Sequence, residues 1–154
     1  MEAMKKKFLF KKGKKVNLVF LDTMIFIYHF ERNKRYFPLT TMIFNLIEKG
    51  DLNGIASVVS LVEILTGALR LKQKDLAEQY KIVLTSFPNL SLKEINTEIA
   101  EKAAELRAEF NLQTPDAIQL ATSVASKADY FLTNDQSLKK IKGVDLLILK
   151  ELIQ

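Results

Sequence analysis

A chain of 154 residues, 48% hydrophobic and 27% charged, is long enough to bury a core of its own as one domain, with no staple required. It has no cysteine and one histidine, His29, which excludes disulfides and Cys-based zinc sites and argues against a multi-histidine metal centre or a Ser-His-Asp triad. Chemistry falls to carboxylates, and a reducing cytoplasm is the expected compartment.

The net charge of +5 is unevenly spread. Residues 1–15 hold seven lysines against Glu2, whereas the other 139 residues carry 16 basic and 17 acidic side chains. The basicity therefore belongs to an N-terminal arm, 1–15, ahead of a nearly neutral domain, 16–154. Such an arm is either a hold for a phosphate backbone or a solvated, partly disordered terminus. Phe8, Leu9 and Phe10 are too short an apolar run for a signal peptide, and no later stretch is long enough for a membrane span, so a soluble intracellular protein is expected.

Val16 to Leu21 has the apolar, β-branched density of a strand buried on both faces, and it stops abruptly on Asp22. A helix follows from Thr23, with His29 beside Tyr28 and Phe30 read as packing or surface. The apolar spacing over Thr40 to Lys49 predicts a helix that Gly50 ends. Residues 54–57 form a short second strand, Ser60 to Arg70 a helix and Lys72 to Phe87 another, which Pro88 ends. Leu90 to Ile95 reads as a third strand. Asn96 to Phe110 is an amphipathic helix with Ile99, Ala103, Leu106 and Phe110 on one face.

Thr114-Pro115-Asp116 is a helix start, with Thr114 as N-cap and Pro115 at the first helical position. That helix runs to about Ser126, and a fourth strand covers 128–132. Thr133-Asn134-Asp135 makes a turn, and Val144 to Leu149 a fifth strand. Strands alternating with helices specify a three-layer α/β/α sandwich around a mostly parallel sheet.

Four acids stand out. Asp22 and Asp135 fall just past strand ends, and Glu63 and Asp116 fall in the first turns of helices that rise from the same rim. Ligands bind at that rim in open α/β sheets. Each acid also has a local role open to it: Asp22 as strand stop or helix cap, Glu63 in a Ser60-x-x-Glu63 capping box, Asp116 at a helix dipole, Asp135 in a turn. Converging within about 4–6 Å, the four would repel unless cations were present, and hard oxygen ligands suit Mg²⁺ or Mn²⁺.

The segments F-L-D-T-M-I-F-I-Y at 20–28, S-L-V-E-I-L-T-G at 60–67, T-P-D-A-I-Q-L-A at 114–121 and D-Y-F-L-T-N-D at 129–135 resemble the PIN domain, and within it the single-domain toxins of the VapC type. The likeness runs from Val16 to about Leu149. It implies a metal-dependent ribonuclease in which Asp22, Glu63 and Asp116 are the main metal-binding acids, Asp135 is the fourth, and Thr133 helps to place a water or a metal ligand. It also implies an RNA substrate, a small protein antitoxin as partner and a homodimer. Met24 departs from the Asn that many relatives carry, which removes a polar contact to the first acid. Leu138 stands where Phe is frequent, with packing as the expected consequence. The small, apolar stretch Leu65, Gly67, Ala68, Leu69 is a candidate interface or core.

Two other readings compete. One is a PIN-like RNA-binding or regulatory module that does not cut. The other, an aspartyl-nucleophile phosphatase, calls for a D-x-D pattern, and position 24 is Met.

Overall fold

The computed structural model describes residues 1–153. In chain order the elements are α1 (Glu2–Leu9), β1 (Phe10–Lys11), β2 (Lys14–Lys15), β3 (Leu18–Leu21), α2 (Thr23–Phe30), α3 (Phe37–Glu48), β4 (Asn53–Ser57), α4 (Val58–Arg70), α5 (Lys74–Ser86), β5 (Leu90–Lys93), α6 (Thr97–Phe110), α7 (Thr114–Ala125), β6 (Tyr130–Thr133), a 3₁₀ turn (Gln136–Lys140), β7 (Leu146–Ile148) and α8 (Leu149–Leu152).

Five strands form one parallel sheet in the order β5-β4-β3-β6-β7. Because successive side chains on a strand point to opposite faces, β3 contributes to two cores. Val19 and Leu21 pack with Ile25, Phe26, Ile43 and Ile47 on one face. Phe20 packs on the other with Ile99, Leu106, Ala117 and Leu120, and its ring stacks on Phe131 of β6 at 4.9 Å between centroids. The three-layer α/β/α sandwich expected from the alternation of elements is the fold found.

From β3 the chain moves outward to β4 and β5, then returns to place β6 against the other side of β3. The carboxyl ends of β3 and β6 therefore flank the point where the winding reverses. At such a point the connections part on opposite faces and leave a crevice. Asp22 and Thr133 stand there, one immediately after β3 and the other as the last residue of β6.

Element boundaries differ from the sequence expectation where local chemistry competes. α3 begins at Phe37 with Pro38 in its first turn, three residues earlier than expected. α7 begins at Thr114 itself, so Gln113 occupies the N-cap position. Asn111 in the left-handed region at φ 53° ends α6 just before it. β7 is shorter than its apolar run, because Leu149 already starts α8.

The basic arm is folded onto the domain. Lys12 and Gly13, at φ 49° and 77°, make the two-residue turn between β1 and β2. The arm's apolar residues explain the docking, since Phe8 is fully buried in the same cluster as Val19 and Leu21. Lys11 donates to the carbonyl of Asp129 at 2.9 Å, pairs with the Asp145 carboxylate and lies over the Tyr130 ring. Truncating Phe8 to Ala is expected to destabilise the protein by about 3–5 kcal/mol in urea unfolding. Lys12→Gln is expected to change stability by less than about 0.5 kcal/mol. Equal, small effects for both would mean that the arm does not belong to the core.

Candidate active site

Asp22 occupies the N-cap position of α2, yet its carboxylate makes no capping bond to that helix. Instead Thr133 Oγ1 donates to Asp22 Oδ2 at 2.7 Å across the gap between β3 and β6. Thr133 Oγ1 in turn accepts from the backbone N–H of Asp135 at 3.1 Å. A hydroxyl has one proton to give, so its direction is fixed: Asp135 N–H to Thr133, Thr133 to Asp22.

Glu63 is held by a second threonine. α4 starts at Val58 and is capped by Ser57, whose hydroxyl accepts from Val59 N–H at 3.1 Å. The Ser60-x-x-Glu63 capping box expected from sequence is therefore not what these residues form. Ser60 lies inside the helix, fully buried, with its Oγ 2.8 Å from Thr23 Oγ1. Thr23 donates to Glu63 Oε1 at 2.8 Å. With that proton committed to the carboxylate, Ser60 must donate to Thr23.

Asp116 is half-buried in the first turn of α7. Asp135 is exposed and does act as a local turn residue, accepting from Ser137 N–H at 2.9 Å and from Ser137 Oγ at 2.6 Å. Its neighbour Asn134 ties the loop down by donating to the Tyr28 hydroxyl at 3.1 Å and accepting from Lys150 N–H at 2.8 Å.

The acids share one electrostatic neighbourhood. Burial pushes the Asp22 carboxyl up to about 6; the Thr133 hydroxyl and the Thr23 backbone N–H oppose the rise, and the Asp116 and Glu63 charges add to it. Asp116 is raised as well, first by burial and then by Asp135 and Glu63. Among the described residues none of the four acids is ion-paired with a lysine, arginine or histidine. Repelling carboxylates with no basic partner, one of them only 8% exposed, are a hard-oxygen donor set of the kind that suits Mg²⁺ or Mn²⁺. The fit lies in donor chemistry and in shared field; among the described residues no three acidic, histidine or cysteine side chains form a ready-made metal cluster.

Thr23, Ser60 and Asn134 were not singled out by sequence reasoning. A signal existed for two of them, since Ser60 and Glu63 are three apart on one helix face and Thr23 adjoins Asp22. His29 is half-buried, stacked on Phe37 and 3.1 Å from Thr40 Oγ1, so it packs as expected. Met24 is 40% exposed on the first turn of α2, and Leu138 is buried in the core. Beside Glu63 runs an apolar groove of about 570 Å³ between α2, α4 and α5, lined by Ile27, Phe30, Ile64, Leu71, Leu76 and Tyr80. The stretch read as core or interface divides: Ala68 is buried against this groove, while Leu69 is exposed.

The model of the PIN domain family matches residues 19–144. The fold is similar to that of a toxin-antitoxin complex from Klebsiella pneumoniae, at 23% identity and TM-score 0.65, with 85% of this chain and 97% of that chain covered. VapBC2 from Rickettsia felis, bound to a DNA fragment from its promoter, is similar at 20% identity and TM-score 0.69 over 85% and 98% of the two chains. Mycobacterium tuberculosis VapC20, a sarcin-ricin loop cleaving toxin, is similar at 14% identity and TM-score 0.60 over 73% and 86%. No curated protein matches the chain significantly.

The raised Asp22 pKa fixes the sign of a stability change. Its folded value of about 6 lies above the ordinary aspartate value of 3.8, so the native state binds more protons than the unfolded chain between those two values. Stability attributable to this residue therefore falls as pH rises from about 4 to 6, by up to about 3 kcal/mol. Without divalent cations, Asp22→Asn is expected to raise the thermal midpoint at pH 7.5 and to leave it nearly unchanged at pH 4. A midpoint lowered at pH 7.5 would contradict this assignment.

Proposed function

The chain belongs to the PIN domain family, and from that premise we propose that it is a divalent-cation-dependent ribonuclease, hydrolysing RNA phosphodiester bonds at the four-acid rim. The observation that carries this reading is the buried Asp22 carboxylate at the switch point, facing Asp116 and Glu63 with no basic side chain to neutralise it.

Asp22, Glu63, Asp116 and Asp135 would hold Mg²⁺ or Mn²⁺. The chemistry a divalent cation supplies at such a site is polarisation of a phosphodiester and a lowered pKa for water. The chain's own residues prepare the rest. Thr133 fixes the orientation of the Asp22 carboxylate by donating to it and opposes the effect of its burial. Thr23, which accepts from Ser60, fixes the orientation of Glu63 by donating to Oε1. Asp116, raised first by burial and then by Asp135 and Glu63, adds a second carboxylate whose charge a cation would relieve. Asn134 holds the loop that carries Asp135.

The structural relative from Klebsiella pneumoniae is a toxin-antitoxin complex. On that analogy the chain acts as a cytoplasmic toxin restrained by a small antitoxin. The apolar groove beside Glu63 suits an amphipathic segment of that partner, which would close off one flank of the acids. Exposed Val62 and Leu69, two helical turns apart on α4, are the surface for a homodimer. No helix among the described residues is long and apolar enough to cross a membrane.

One observation favours a second reading, a PIN module that binds RNA without cutting it: no three of the acids are preassembled as a metal cluster. Cleavage separates the two. Purified protein is expected to cut total RNA with Mg²⁺ or Mn²⁺ and to stop in EDTA, and a folded Asp22→Asn, Asp116→Asn variant is expected to be inactive. Retained cleavage in that variant would overturn the assignment of the acids. Thr23→Val, which leaves Glu63 without its donor, is expected to weaken Mn²⁺ binding about 10- to 100-fold by calorimetry.

A further inference from the structure

The lysines of the arm lie far from the acids. The hairpin β1-β2 docks where β6 and β7 begin, through the Lys11 contacts to Asp129 and Asp145, whereas the acids follow the strands' other ends. From Val16 to Asp22 the chain crosses the sheet, a distance of roughly 20 Å at strand rise. The arm therefore does not line the crevice.

What it builds is a separate basic surface. Lys12, Lys14 and Lys15 are exposed on the hairpin, and Lys127 and Lys142 are exposed on the loops that lead into β6 and β7 at the same rim. None of these five is ion-paired among the described residues. Two of the acids at this rim are already engaged. Asp129 Oδ2 accepts from the backbone N–H groups of Asn17 at 2.8 Å and Leu18 at 3.0 Å, and Asp145 pairs with Lys11. Asp51, at the foot of β4, lies beside Lys5 and Lys49.

The surface also carries an aromatic ring. Phe10 and Lys15 are direct partners across the ribbon and so share one of its faces, and Phe10 is 52% exposed. A half-exposed ring set among unpaired lysines is the combination that binds single-stranded nucleic acid, with cations tracking phosphates and the ring stacking a base. The solved relatives leave about 15% of this chain uncovered while nearly all of their own length is matched, and the family match begins at residue 19. The arm thus lies outside the family match.

We propose that the lysine hairpin and the adjoining Lys127 and Lys142 loops form a second RNA-binding surface, which holds the phosphodiester backbone of single-stranded RNA at the rim opposite the acids. The inference rests on the ribonuclease reading for its choice of RNA, but it is tested without cleavage. The probe is a fluorescein-labelled single-stranded RNA of about 20 nucleotides, longer than the roughly 4–16 that a single-strand site commonly covers, titrated by anisotropy in EDTA at several salt concentrations.

Against the wild-type chain, Lys12→Gln, Lys14→Gln, Lys15→Gln in one protein is expected to lower the slope of log K on log salt by about 2, the loss of three single-strand phosphate contacts. Affinity near 100 mM salt is expected to fall about tenfold or more. Phe10→Ala is expected to weaken the single-stranded probe about fivefold or more and a duplex DNA of equal length hardly at all. These side chains are exposed, so folding is checked by circular dichroism and is expected to be intact; removing the whole arm is avoided because Phe8 is core. An unchanged salt slope in the triple variant overturns the proposal even where the protein cuts RNA normally. Equal losses on duplex DNA and on RNA overturn the single-strand assignment. A wild type that cuts nothing but shows the expected slopes retires the nuclease and keeps this surface.

Discussion

The site depends on the reversal of winding between β3 and β6. Because β4 and β5 lie on one side of β3 and β6 and β7 on the other, two neighbouring strands end at the point where the connections part to opposite faces of the sheet. A buried carboxylate is costly anywhere else in a sheet, and here it is tolerated because a hydroxyl from the adjacent strand reaches it. The contact between Thr133 and Asp22 is therefore both the seam between the two halves of the sheet and the floor of the crevice. Phe20 and Phe131, stacked two residues further back on the same two strands, keep that seam in register.

Two threonines hold two acids, each by the same chemistry. Thr133 accepts a hydrogen bond from a backbone amide and donates one to Asp22, while Thr23 accepts one from Ser60 and donates one to Glu63. Donation to a carboxylate favours the charged form. It competes with burial and with the other acids, and for Asp22 burial wins, leaving a group that titrates near 6. Such a group of acids is the arrangement that the proposed cation would relieve. Strain of this kind at a site is the usual exchange of stability for function.

The layer order, the parallel sheet and the positions of Asp22, Glu63, Asp116 and Asp135 were legible because strand ends and helix starts follow from apolar period and turn chemistry. What sequence could not supply was which hydroxyl answers which acid. Ser60 and Glu63 match a capping box by spacing, and only the tertiary structure shows Ser57 as the cap and Ser60 turned toward Thr23. The docking of the arm was not legible for a related reason. Its lysines dominate the composition, whereas one residue, Phe8, decides that it folds against the domain. A single buried aromatic in a charged segment leaves no periodic signal.

The central claim is that four carboxylates from β3, α4, α7 and the turn after β6 answer to one cation site. The measurement that tests it most directly is carboxyl-detected NMR of the labelled protein during a Mg²⁺ titration at pH 7. The account predicts that the side-chain carboxyl signals of Asp22, Glu63 and Asp116 move together on one saturating curve, with Asp135 following them, while exposed acids such as Glu98 stay still. Independent curves for the four, or movement no larger than that of Glu98, would contradict it.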